Sequence, residues 1–158
     1  MDDLGAKDRS LEKIAVGYAQ VGEFKQAAEV AETISHGTNK VTAFIWIARQ
    51  YDSAGNTKGA EWSLDRALAV SETITDNRDL SEALTDIASS YVALDYDQDV
   101  GGILSQALFV AHQLKNSKTK ARLFKDVANV YMTLGYSDQA EGIANQAATI
   151  NLRGNNRK

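Results

Sequence analysis

Ile47-Ala48-Arg49-Gln50-Tyr51-Asp52-Ser53-Ala54-Gly55-Asn56-Thr57-Lys58-Gly59-Ala60 is the stretch on which the fold turns. An aliphatic residue and an alanine are followed three residues later by tyrosine, four later by glycine, and five later again by alanine. Each position has a mechanical reason. Tyr51 closes the apolar face of one helix, and Gly55 stops that helix by entering the left-handed region without a Cβ penalty. Ala60, early in a second helix, lets the two backbones approach closely, and the tyrosine ring then covers the contact.

The pattern occurs four times: Ile14-Ala15…Tyr18, Ile47-Ala48…Tyr51, Ile87-Ala88…Tyr91 and Val127-Ala128…Tyr131. The tyrosines are 33, 40 and 40 residues apart, followed by Gly22, Gly55, Asp95 and Gly135 and then by Ala27, Ala60, Val100 and Ala140. A self-similar period in this range signals stacked supersecondary units. The second helices keep apolar spacings of three and four, as in Ala60, Leu64, Ala67, Leu68 and Ile74. Ile103, Leu104, Ala107, Leu108, Ala111 and Leu114 repeat this in the third unit, and Ile143, Ala144, Ala147 and Ile150 in the fourth.

Polar stretches at 35–39, 75–79 and 115–118 read as connectors. The spacing predicts eight helices near 9–21, 24–35, 40–54, 57–74, 80–94, 97–114, 119–134 and 137–150. One domain of four units follows, at about 9–38, 39–78, 79–117 and 118–150, with a frayed tail at 151–158.

These residues resemble the tetratricopeptide repeat family. Phe44, Ile47, Ala48, Tyr51, Gly55, Ala60, Leu64 and Ala67 match its unit, as do Phe124, Val127, Ala128, Tyr131, Gly135, Ala140, Ala144 and Ala147. The third unit departs at Asp95 and Val100, the first is weak at Ala31 and Ile34, and the family's terminal proline is missing throughout. The 40-residue intervals are assigned to longer second helices and connectors. The resemblance implies an all-α, right-handed α-solenoid of four antiparallel helix hairpins. Such hairpins bury their faces only by stacking. With no further solvating helix after residue 150, the outer side of the last hairpin is expected to be less protected.

Function is then expected on a surface. The resemblance places a peptide groove on the first helices, the concave face of the family. Its lining falls at Glu12, Lys13 and Val16, at Ile45, Trp46 and Arg49, at Thr85, Asp86 and Ser89, and at Lys125, Asp126 and Asn129. Asp52, Arg122 and Met132 flank the same surface. The partner-binding candidates are Trp46, Arg49, Thr85, Ser89, Arg122, Lys125 and Asn129. A solvated helix face would carry similar residues. Tryptophan marks binding hot spots, yet in an apolar segment it more often packs between hairpins, a reading stronger still for Trp62. Lys125 and Asn129 repeat a pair with which chaperone-binding members grip a C-terminal carboxylate. Here the pair is in the last unit, where no later helix completes the clamp.

Composition bounds the rest. The 158 residues carry a net charge of −4, with −9 over residues 1–112 and +5 over 113–158. The basic cluster Lys115, Lys118, Lys120, Arg122 and Lys125, with Arg153, Arg157 and Lys158, suits an acidic protein segment. A pI of about 5.2 and the lack of stacking aromatics nearby argue against nucleic acid. An alternative is structural self-assembly, an acidic N-terminal end meeting a basic C-terminal end as a weak homo-oligomer.

No cysteine or proline occurs. The first fits a reducing compartment, and a cytoplasmic location with no membrane or cofactor is the expectation. His36 and His112 have no helical metal partner, and neither phosphate-loop nor nucleophile-elbow motifs occur, so no enzyme is expected. Asp95-x-Asp97-x-Asp99 resembles a calcium loop only superficially, because Val100 and Gln106 stand where glycine and glutamate belong. The stretch instead falls in register with the hairpin turns.

Overall fold

The computed structural model describes residues 3–96 and 99–155, and these contain eight α-helices and no strand. They are α1 (Asp3–Gln20), α2 (Phe24–Glu32), α3 (Gly37–Ser53), α4 (Thr57–Ser71), α5 (Asn77–Ala93), α6 (Val100–His112), α7 (Ser117–Thr133) and α8 (Ser137–Asn155). Consecutive helices pair as hairpins: α1 with α2, α3 with α4, α5 with α6, and α7 with α8. The chain divides into two compact units of two hairpins each, Met1–Ile74 and Thr75–Lys158.

The hairpin turn explains the Tyr-x3-Gly spacing. In each copy the residue after the turn position donates its N–H to the tyrosine carbonyl: Glu23 to Tyr18, Asn56 to Tyr51, Tyr96 to Tyr91, and Tyr136 to Tyr131. The turn residue itself donates to the carbonyl three back, as Gly55 does to Asp52 and Gly135 to Met132. This paired closure of a helix end demands a left-handed residue. Gly22, Gly55 and Gly135 have φ of 82°, 74° and 82°, and Asp95 keeps the conformation at φ 55°. Aspartate tolerates that region better than most residues, which is why the third unit keeps its turn without glycine.

Small residues then meet across each hairpin. Ala15, Ala48, Ala88 and Ala128 are buried on the first helices, and Ala27, Ala60, Val100 and Ala140 on the second. Tyr51 shows how the ring serves the turn. It stacks on Phe24 with centroids 3.8 Å apart and 15° between planes. It also lies over Gly59, where a Cβ would come within 2.5 Å of the ring.

Within each unit the second hairpin packs on both helices of the first: α3 contacts α1 and α2, and α7 contacts α5 and α6. The first unit buries Phe44, Ile47, Leu64 and Ala67, and the second buries Leu84, Leu104, Leu123 and Val127.

Several boundaries differ from the sequence expectation. Helices α5 and α7 start inside stretches expected to be connectors, because Asp76 accepts from the Asp79 N–H and Asn116 from the Thr119 N–H. These side chains cap the helices and pull the polar residues after them into the first turn. Helices α2, α4 and α6 end earlier, in tight turns where the Ile34, Ile74 and Leu114 N–H groups bond three residues back. In the second hairpin the extra residues lie mainly in the second helix, since α4 has 15 residues and α2 has 9, whereas α6 has 13 and starts five residues after its turn position, Asp95.

At the other end, α8 continues through Asn151 to Asn155, where Gly154 lies against the Ser117 side chain. Asp97, Arg157 and Lys158, named above for the calcium-like run and the basic cluster, lie outside the described residues.

Candidate functional site

The candidate residues fall on outward faces of first helices, in two separate groups. In the first unit they are Trp46 and Arg49 on α3. Val41, Ala43, Phe44, Ile45, Ile47 and Ala48 turn inward on that helix, and Trp46 occupies the remaining face, 40% exposed. The Arg49 guanidinium lies over its ring at 5.0 Å from the centroid, a cation–π contact that orders both side chains. Ile45, expected at the lining, is buried instead. Packing of Trp46 between hairpins is also not observed. Trp62 meets Phe44 edge-on at 6.0 Å but keeps an exposed face. Glu12 accepts a 2.8 Å bond from Asn39 Nδ2, tying α1 to α3.

In the second unit Thr85, Ser89, Arg122 and Asn129 come together on the face that α5 and α7 share, whereas Lys125 lies on α7 outside that lining. A shallow groove of about 270 Å³ runs between Thr85, Asp86 and Ser89 on α5 and Asp126, Asn129 and Thr133 on α7. A hollow of about 250 Å³ continues it toward Glu82 and Arg122. Thr85 forms the floor: it is buried, and its hydroxyl donates to the Ser81 carbonyl at 2.8 Å. Ser89 and Asn129 are exposed on the walls, and Lys125 is exposed on α7 beyond them.

Arg122 closes one end of the groove. Its guanidinium bonds Glu82 of α5 and reaches Asp126 Oδ2 at 3.1 Å. The hydrogen bond it donates to Glu82 is the main cause that raises the Arg122 pKa above its usual value. Arg122 is therefore a strut across the groove, with its charge already matched. Glu82 was missed by sequence reasoning, although it stands 40 residues before Arg122, one full repeat, with the opposite sign. Among the described residues Lys125 makes no ion pair, and it is exposed on α7 one helical turn before Asn129.

The other sequence candidates have structural duties. Asp95 forms the hairpin turn and Asp99 caps α6 by accepting from the Gly102 N–H at 2.9 Å. His36 pairs with Asp8, and the His112 ring lies 6.4 Å from that of Phe124. Among the described residues no group of three His, Cys, Asp or Glu side chains is placed to hold a metal ion. No described helix is long and apolar enough to cross a membrane.

No known family model and no curated protein matches this chain. Among solved structures it is similar to a kinesin-light-chain-like protein of Podosopora anserina with nearly identical TPR-like repeats. The identity is 16% and the TM-score 0.37, with 100% of both chains covered. The fold assignment rests on the four hairpins themselves, their shared turn chemistry and their register.

Proposed function

We propose that this chain is a non-catalytic protein–protein interaction scaffold that holds a peptide or partner helix on the faces of its first helices. The observation that carries this reading is the α5–α7 groove. It is a preorganised trough whose floor is hydrogen-bonded internally and whose end is braced by Arg122. An extended peptide would meet the Asn129 amide, a donor and acceptor suited to a peptide backbone, and the Ser89 hydroxyl. Lys125 favours an acidic residue in that peptide, because its charge is not matched by a neighbour. Rigid walls lower the ordering cost of binding. Trp46 under Arg49 is the anchor of the first unit, an aromatic of the type that dominates binding energy.

Selection of displayed peptides on the intact chain tests the groove. Extended peptides carrying Asp or Glu are expected. Lys125→Glu with Asn129→Ala is expected to weaken the selected peptides by about tenfold or more, at unchanged melting temperature. Affinity within twofold of the parent would move the site away from α5 and α7.

A further inference from the structure

The outer face of α1 carries an apolar stripe. Leu4, Ile14 and Tyr18 are exposed, as is Val21 just past the helix end, with half-buried Leu11 between them. Leu4, Leu11 and Tyr18 are seven apart, as are Lys7, Ile14 and Val21, so the stripe is apolar except for the exposed Lys7. Register explains it. Ile14 occupies the position of Ile47, Ile87 and Val127 in the later hairpins, and all three of those are 0% exposed. Helices α3 and α7 pack on a preceding hairpin in their own unit. Ile14 is 48% exposed.

The fourth hairpin shows the complementary gap. Ala31 on α2, Leu64 on α4 and Leu104 on α6 stand nine residues after the turn position and are all 0% exposed; α2 and α6 are packed by the next hairpin of their unit. The same register position on α8 is Ala144, which is exposed together with Ala148 and Leu152.

We propose that α1 of one copy docks on the α7–α8 hairpin of a second copy, continuing head to tail the hairpin-on-hairpin interface already formed inside each unit. The contact goes beyond the peptide-binding reading and is independent of it. It rests on apolar burial rather than on opposite end charges, since described α1 carries Asp3, Asp8 and Glu12 against Lys7, Arg9 and Lys13.

Register also sets its strength. Inside the second unit Glu82 of α5 pairs with Arg122 of α7 at the same repeat position. Across the joint that position sets Arg122 of one copy beside Arg9 of the next, so the joint has no counterpart of the Glu82 ion pair. The joint is therefore weak, and Arg9→Glu supplies the missing carboxylate.

Sedimentation velocity over a concentration series tests the proposal. The parent chain is expected to gain mass with concentration, and Arg9→Glu to tighten association by about fivefold, an effect erased by salt. Ile14→Lys and Leu152→Lys, both at exposed positions, are each expected to be folded monomers by circular dichroism. Mixed together they should form a one-to-one dimer and nothing larger, because one keeps a free head and the other a free tail. If Ile14→Lys disturbs the fold, Val21→Lys replaces it. A mixture that stays monomeric overturns the proposal. So does a Leu152→Lys variant that still dimerises alone, or a parent and an Arg9→Glu variant that are both monomeric throughout.

Discussion

Asp8 in the first unit and Ser81 in the second occupy the same register position, both fully buried, and they solve opposite problems. Asp8 accepts from the Ser35 N–H at 3.1 Å and the His36 N–H at 2.7 Å, with the His36 ring Nδ1 2.5 Å away. Ser81 donates to the Ala107 carbonyl at 3.0 Å. The difference comes from the helix each one faces. Helix α2 has ended at Glu32, so the backbone opposite Asp8 offers unused N–H groups. Helix α6 runs to His112, and the backbone opposite Ser81 offers a carbonyl. A buried polar side chain takes its character from what its neighbour's backbone offers.

The comparison fails first if the two sites respond alike. Asp8→Ala leaves buried N–H groups without an acceptor and is expected to lower the urea midpoint most of any single change here. Ser81→Ala loses one hydrogen bond and is expected to cost about 1 kcal/mol. Equal losses at the two positions would end the contrast.

Acid sharpens it. Burial by itself pushes the Asp8 carboxyl upward, but the N–H groups of His36 and Ser35 and the His36 ring outweigh it and hold the carboxyl below its usual 3.8. A group depressed in the folded state contributes its full stability above the usual value and loses it as pH falls through the lower folded value. Denaturation curves below pH 4 should therefore steepen in the parent and flatten in Asp8→Asn. Parallel curves would remove the ionised carboxylate from the account.

Two smaller changes test the turns. Gly55→Ala, at φ 74°, is expected to destabilise by about 1 kcal/mol, whereas Asp95→Gly should stabilise by a few tenths. Asn116→Ala is expected to cost about 1 kcal/mol as a lost cap. His36→Ala, whose side chain makes no bond to the first turn of α3, should lose no cap. Any deficit in that variant would come from the missing ring beside Asp8.

The hairpins were legible because their determinants are local. Tyr51, Gly55 and Ala60 lie within ten residues and each has a single mechanical role. The caps Asp76 and Asn116 were also visible as letters, but surrounding polar residues disguised them as connector. Trp46 was ambiguous because Phe44-Ile45-Trp46-Ile47 is an unbroken apolar run and gives no phase. Only the packing of α3 on α1 and α2 decides which of the four turns outward. The Asp8 tether was illegible, since its partners are mainly backbone groups 27 and 28 residues away, exposed by an early helix end. The Arg122–Glu82 strut was available to a register argument, and its one-repeat spacing is the signal to seek in similar chains.

The turn position and the connector are 14 residues apart in the first hairpin, from Gly22 to His36, and 21 apart in the next, from Gly55 to Asp76. The seven-residue step is close to two helical turns, so it lengthens the arm while rotating its inner side by only about 20°. Arm length is thus a dial with discrete clicks: inserting seven residues into α2 preserves which side chains look inward, whereas inserting two would swing them toward water.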